Sequence, residues 1–241
     1  MTLQHRAIFI LFGCLPWIAH AEVSVELRER IAAQYAAIDD NMLQHQYRTI
    51  AQVTRPNEPV STQETEFDPR RPTGEKEQLV LVNGEPPDDS AVREFNRRPQ
   101  PDQRETQRIR LLLDEQSLSL VSASDKEWIL NFQPILHING EPDADGEKFT
   151  GRLWYDAQHG YVTRVEIRTQ EAFSKLLFRI RQFDVQEEFY WVDDQLLRKG
   201  YAHIMDLRNP IIDASNSVDM HFEYQGDTRV ALRQRYYQSY Q

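Results

Sequence analysis

The stretch GRLWYDAQHGYVTRVEIR, residues 151–168, has the pattern of two extended segments joined by a glycine-containing turn. Its second segment alternates apolar and charged residues: Arg164, Val165, Glu166, Ile167 and Arg168. In a β-strand, successive side chains point to opposite faces of the sheet. The stretch therefore predicts an antiparallel hairpin with one apolar face and one charged face.

The same two-residue period recurs along most of the chain after residue 46. It predicts strands at residues 47–54, 61–67, 77–82, 117–124, 127–133, 148–156, 161–169, 175–185, 189–192, 196–207 and 217–225. Turn-forming pairs such as Asn83-Gly84 and His159-Gly160 separate these segments. Short strands with one apolar face favour a mainly β fold: a single antiparallel, strongly curved sheet that forms an incomplete β-barrel.

Two regions depart from the strand pattern. Residues 22–42 predict an amphipathic helix, because apolar residues recur every three or four positions. These residues are Leu27, Ile31, Tyr35, Ile38 and Met42. Residues 86–115 form an insertion with two predicted short helices, at 88–98 and 102–113. We expect this insertion on the concave side of the sheet, as a lid, a plug or a mobile loop.

The first 21 residues have the layout of a secretory signal peptide. A cationic start ending at Arg6 precedes an apolar stretch, and Ala19-His20-Ala21 offers small residues for cleavage after Ala21. We expect an exported, periplasmic chain, with residues 22–241 as one domain. The alternative is lipid attachment at Cys14, the only cysteine. No later stretch has the roughly 20 apolar residues of a membrane helix.

Charge and motif content narrow the classes of function. The net charge of −10, without a basic stripe, argues against nucleic acid as a partner. The tail, residues 226–241, is basic and aromatic, typical of an edge strand or frayed end, or of contact with anionic lipid or an envelope protein.

Metal and catalytic motifs are weak. The histidines lack metal-binding spacing, and Asp143 and Asp145 fit a polar turn better than a calcium loop. The adjacent carboxylates Asp39/Asp40, Asp88/Asp89, Glu187/Glu188 and Asp193/Asp194 are interpreted as solvated pairs, most of them at turns or element ends. We expect no cofactor, no metal and no enzymatic activity. A cryptic hydrolase would need a Ser/His/acid or acid/acid cluster created by the fold.

The quoted hairpin resembles a strand-turn-strand of the bacterial lipoprotein-carrier superfamily, the LolA/LolB-like envelope proteins. In that family, a strand with Gly, an aromatic residue and Asp leads through a Gly turn into a Val-x-Arg-x-Glu-like strand. Residues 67–95 also resemble a segment of uncharacterised proteobacterial secreted proteins. The resemblance implies a half-barrel whose concave face is closed by helices around a cavity for acyl chains.

The apolar strand faces have two interpretations. Their side chains either pack as an ordinary core or line a cavity for a lipid or other hydrophobic ligand. The candidate cavity residues are Leu153, Tyr155, Val165, Ile167, Leu176, Phe178, Ile180, Met220 and Phe222. The first interpretation predicts an envelope scaffold that binds another protein. The second predicts a non-enzymatic lipid binder or carrier with the insertion as its gate.

Overall fold

A computed structural model describes residues 23–98, 101, 109–138, 141–175, 178–208 and 213–225. The predicted signal peptide and the tail at 226–241 lie outside these residues. The helices are α1 (Val25–Ala36), α2 (Ile38–Met42) and α3 (Asp89–Phe95). The strands are β1 (Tyr47–Thr54), β2 (Ser61–Phe67), β3 (Glu77–Val82), β4 (Ile109–Leu113), β5 (Ser119–Ala123), β6 (Glu127–Phe132), β7 (Pro134–Ile138), β8 (Glu141–Asp143), β9 (Phe149–Asp156), β10 (Tyr161–Thr169), β11 (Phe173–Lys175), β12 (Phe178–Val192), β13 (Gln195–Arg208) and β14 (Asp213–Tyr224).

One large antiparallel sheet dominates the fold, as predicted. Its strand order is β3-β2-β1-β14-β13-β12-β10-β9-β6-β5, and β11 adds to β12 as an eleventh strand. In the described part of the chain the end strands β3 and β5 do not pair with each other, so the sheet is open, consistent with an incomplete barrel. A second, three-stranded antiparallel sheet has the order β4-β7-β8.

The quoted stretch forms the hairpin of β9 and β10, with the predicted division of its faces. Val165 and Ile167 are buried on the face that we call the inner face, which packs against α1 and α2. On the other face, Glu166 is buried between Arg164 and Arg168, and both guanidinium groups form ion pairs with its carboxylate. Charge neutralisation permits a buried carboxylate there.

The predicted N-terminal helix is present but is divided at Ala37 into α1 and α2. It begins after Ser24, whose hydroxyl accepts a hydrogen bond from the Leu27 amide at 3.3 Å, an ordinary N-cap. Ile31 of α1 and Met42 of α2 are buried in the same hydrophobic core as the inner face. The helices therefore cover part of the inner face with the protein's own side chains.

The insertion is only partly helical. The helix predicted at 88–98 is observed as α3, with Asp88 as its N-cap. The helix predicted at 102–113 is wrong for residues 109–113, which form β4 and pair with β7. These residues are apolar except for Arg110, a pattern that fits a helix and a strand equally well. Pairing with β7 stabilises the strand. The rest of that predicted helix, residues 102–108, lies outside the described residues.

The strands predicted at 175–185 and 189–192 are joined from residue 178 onward in one continuous strand, β12, whereas Lys175 ends β11. The strand does not end between the two predicted segments. It passes through a register shift between Glu188 and Phe189, where β13 carries an extra residue. Such a bulge bends a strand without terminating it. The prediction that the Glu187/Glu188 pair is solvated is also wrong for Glu187, which is 7% exposed.

Candidate functional site

An open cleft of about 710 Å³ lies between the start of α1, strands β5 and β6, and the turn that joins β9 to β10. We call it the N-terminal cleft. Its apolar lining comes from both the helix and the strands: Val23, Leu27, Leu120, Ala123, Trp128 and Leu130. Its polar lining is concentrated on α1 and the hairpin turn: Ser24, Glu26, Arg30, Gln158, His159 and Gly160. The volume lies within the range of small-molecule sites, roughly 300–1,000 Å³.

Side-chain hydrogen bonds attach α1 to the strands on either side of this cleft. The guanidinium group of Arg28 donates to the Gln116 carbonyl at 2.6 Å, just before β5. The Gln34 amide donates to the Gly160 carbonyl at 2.9 Å and accepts from the Val162 amide at 3.3 Å. The helix is therefore attached to the chain on both sides of the cleft.

The turn at the mouth of the cleft depends on Asp156 and Gly160. The Asp156 carboxylate accepts hydrogen bonds from the amides of Gln158 and His159, both at 2.9 Å. Gly160 has φ of +77°, a left-handed conformation that glycine adopts without strain. His159 Nδ1 lies 2.8 Å from Asp156 Oδ2, but its side chain is 68% exposed. The His159–Asp156 pair is thus part of the turn structure.

Arg30 is the cation of the cleft. Its Nη2 atom lies 3.0 Å from Glu26 Oε1, one helical turn away on α1. The neighbouring hydroxyl of Tyr155 and the charge of Glu26 raise the pKa of Arg30 above its ordinary value. Both side chains of the Arg30–Glu26 pair are at least half exposed, so the ion pair contributes little stability.

The structure places the predicted cavity residues mainly in the core. Five of them are buried there: Leu153, Tyr155, Val165, Ile167 and Phe222. Ile180 and Met220 are partly buried against the same core. Phe178 begins β12, and Leu176 lies outside the described residues. Tyr155 alone among the predicted residues that the structure describes lines the N-terminal cleft.

Strand periodicity could not identify the other cleft residues. The cleft forms where the first turn of α1 meets one end of the sheet, so its lining combines positions from distant parts of the sequence. Trp128 was the one available signal, because a large aromatic residue in a short strand often lies at such a boundary. Its ring lies 5.9 Å from that of Tyr155, centroid to centroid.

A second group of polar side chains, also missed by sequence reasoning, lies between α2 and the inner face. Arg198 Nη2 contacts Glu187 Oε1 at 3.3 Å and Asp39 Oδ1 at 3.2 Å. Desolvation by burial raises the pKa of Glu187, and the positive charge of Arg198 opposes that shift. The carboxylate of Glu187 and the guanidinium group of Arg198 each keep one buried atom without a hydrogen bond. This cluster positions α2 on β12 and β13.

The remaining predicted motif is a structural turn. Asp143 and Asp145 both bind the ammonium group of Lys175, at 2.7 and 2.8 Å. Lys175 lowers the pKa of Asp143, and its single charge balances one of the two carboxylates within the protein. Within the described residues, no group of three or more His, Cys, Asp or Glu side chains could hold a metal ion.

Comparison with known proteins adds no family to this description. No family model, curated protein or solved structure matches the chain. The resemblance to lipoprotein carriers therefore stays a prediction from two segments. Across the residues that the structure describes, no helix has both the length and the apolar character needed to cross a membrane.

Proposed function

We propose that this chain is an exported, non-enzymatic binding protein of the bacterial envelope that takes a lipid or similar apolar ligand in the N-terminal cleft. One observation carries the proposal: the cleft is a concave, largely apolar space at the open end of an antiparallel sheet. The proposed site differs from the predicted cavity, whose residues mostly fill the core.

The lining explains how such a ligand would gain affinity. Leu27, Leu120 and Trp128 present partly buried apolar surface. Each methylene group that leaves water for such a surface contributes about 0.8 kcal/mol. An acyl chain that lies along this surface would make several such transfers.

Organic extraction of the purified protein, followed by mass analysis, tests the proposal. We expect a lipid in stoichiometric amount from the native chain. Ala123→Trp should abolish its retention, because Ala123 is exposed on β5 and its side chain lines the cleft. Ser119→Trp is the matched control, since Ser119 is exposed on the same strand but does not line the cleft. Equal retention by both variants would refute the assignment.

The alternative function is a protein-binding module of the envelope. It is favoured by the dense packing of the inner face and by two exposed valines near the cleft, Val25 at 70% and Val121 at 50%. Native mass spectrometry separates the two functions. A bound lipid supports the first, whereas a lipid-free chain with a co-purifying protein supports the second.

A further inference from the structure

The polar groups of the N-terminal cleft converge at one point. A Cβ atom placed on Gly160 would lie 3.6 Å from the Tyr155 hydroxyl and 3.9 Å from Nη1 of Arg30. The hydroxyl of one wall and the guanidinium group of the other therefore both lie beside the hairpin turn. Apolar residues of α1, β5 and β6 line the remainder of the cleft.

This arrangement provides hydrogen-bond donors next to an apolar surface. Arginine is permanently protonated and has five N–H donors in a planar fork that suits carboxylate and phosphate oxygens. The phenolic O–H of Tyr155 is a second possible donor beside it. Arginine keeps its charge throughout the physiological pH range, and the neighbours of Arg30 raise its pKa further.

The other charged groups at the mouth do not block an anion. Among the residues that the structure describes, Glu26 is the one carboxylate that lines the cleft with Arg30, and its side chain is 83% exposed. It can turn into solvent at little cost, because solvent and salt screen an exposed ion pair within one helix. Asp156 is already engaged by two turn amides and by His159.

We infer that the N-terminal cleft binds a single-chain anionic amphiphile, whose carboxylate or phosphate is held by Arg30 and Tyr155 and whose acyl chain lies against Leu27, Leu120 and Trp128. The inference rests on the proposed function and adds the charge and form of the ligand. A neutral lipid would leave the donors of Arg30 without an acceptor from the ligand, and a cationic one would be repelled.

Isothermal titration of the purified protein with dodecanoate and dodecanol tests this inference, because the two probes share a chain and differ in head group. We expect dodecanoate to bind at least tenfold more tightly. Arg30→Gln should remove this preference and leave dodecanol binding unchanged. Arg152→Gln should keep the preference, since Arg152 is an exposed arginine of β9 that does not line the cleft.

A third variant and the salt dependence complete the test. Glu26→Gln should strengthen dodecanoate binding, because it removes the carboxylate that competes for Arg30. Added salt should weaken dodecanoate binding to the native protein. Equal affinities of the native protein for both probes would overturn the inference about charge and leave the proposed function intact. Binding of neither probe, in a protein that unfolds cooperatively, would overturn both.

Discussion

At Gly151, the ring of Phe132 occupies the space that a side chain would need. A Cβ atom there would lie 2.3–2.5 Å from three ring carbons of Phe132, which is itself 4% exposed. The two residues are neighbours across β9 and β6. The glycine is therefore required by packing between strands and not by its own backbone conformation.

Gly151→Ala should accordingly lower the free energy of unfolding by about 1–3 kcal/mol, since the buried ring cannot move aside without disturbing the core. Urea denaturation measures the change. Gly200→Ala is the control, because its Cβ would meet only the Met220 carbonyl oxygen at 3.6 Å. We expect that variant to be as stable as the native protein or slightly more so. Similar losses in both variants would contradict this account.

The ion pair of Arg198 and Glu187 leads to a prediction about pH. Arg198→Met leaves the buried Glu187 carboxylate with no cation in contact, and at neutral pH it should cost about 3–5 kcal/mol. Burial already raises the pKa of Glu187, and loss of Arg198 should raise it further. The folded variant then binds a proton more readily than the unfolded chain, so its stability should rise as pH falls through that pKa.

Chemical denaturation between pH 5 and pH 8 would measure the stability of the variant relative to the native protein. The double variant Arg198→Met/Glu187→Gln has neither charge, so the additional pH dependence should disappear. A stability loss of the single variant that is constant across this range would show that Glu187 stays ionised without Arg198.

Sequence alone could not reveal this ion pair, because two adjacent glutamates are usually solvated. Only the register of β12 with β13 buries one of them.

At the scale of single elements, alternation predicted most of the sheet. The bounds of β1, β2, β3 and β10 agree with the predicted ones, because polar residues and turns delimit each segment. The failures have a common cause. The strand conformation of β4 and the continuity of β12 through its bulge depend on the strands that pair with them. Local periodicity does not reveal a pairing partner that is distant in sequence.

The same limit applies to the candidate site. The sheet that carries the predicted lining residues is present, and seven of the nine predicted side chains lie in or against the core. Whether the inner face is covered was decided by α1 and α2, whose own apolar residues enter the same core. The N-terminal cleft lies where the start of α1 meets one end of the sheet. No single periodic segment of the sequence defines that junction.

The attachment of α1 is an element-scale property that depends on Gln34. Gln34→Leu preserves helix propensity but removes the partners of the Gly160 carbonyl and the Val162 amide. Because both backbone groups are partly buried, we expect a loss of about 1–3 kcal/mol. Thermal unfolding measures it, and faster exchange of the Val162 amide would locate it. Glu29→Leu, at an exposed position of α1, should show neither effect.

At the scale of the whole molecule, the open sheet has two dissimilar ends. Both β3 and β5 have a strand neighbour on one side, whereas central strands such as β13 have neighbours on both sides. Backbone amides of end strands exchange through local opening, whereas those of central strands require nearly global unfolding. Strand β5 borders the N-terminal cleft, and β3 lies at the other end of the sheet order, so β3 is an internal control for ligand binding.

Hydrogen exchange with and without dodecanoate should therefore distinguish local from global stabilisation. A ligand in the cleft restrains β5 and the turn before β10, so their amides should exchange at least several-fold more slowly while those of β3 stay unchanged. Ala123→Trp should remove this protection, because the introduced ring occupies the same space. Any ligand of the native state slows exchange in the central strands by mass action on global unfolding, so the comparison of β5 with β3 is the test. Equal protection of β5 and β3 would contradict the assignment of the cleft, since selective protection of β5 requires a ligand bound near β5.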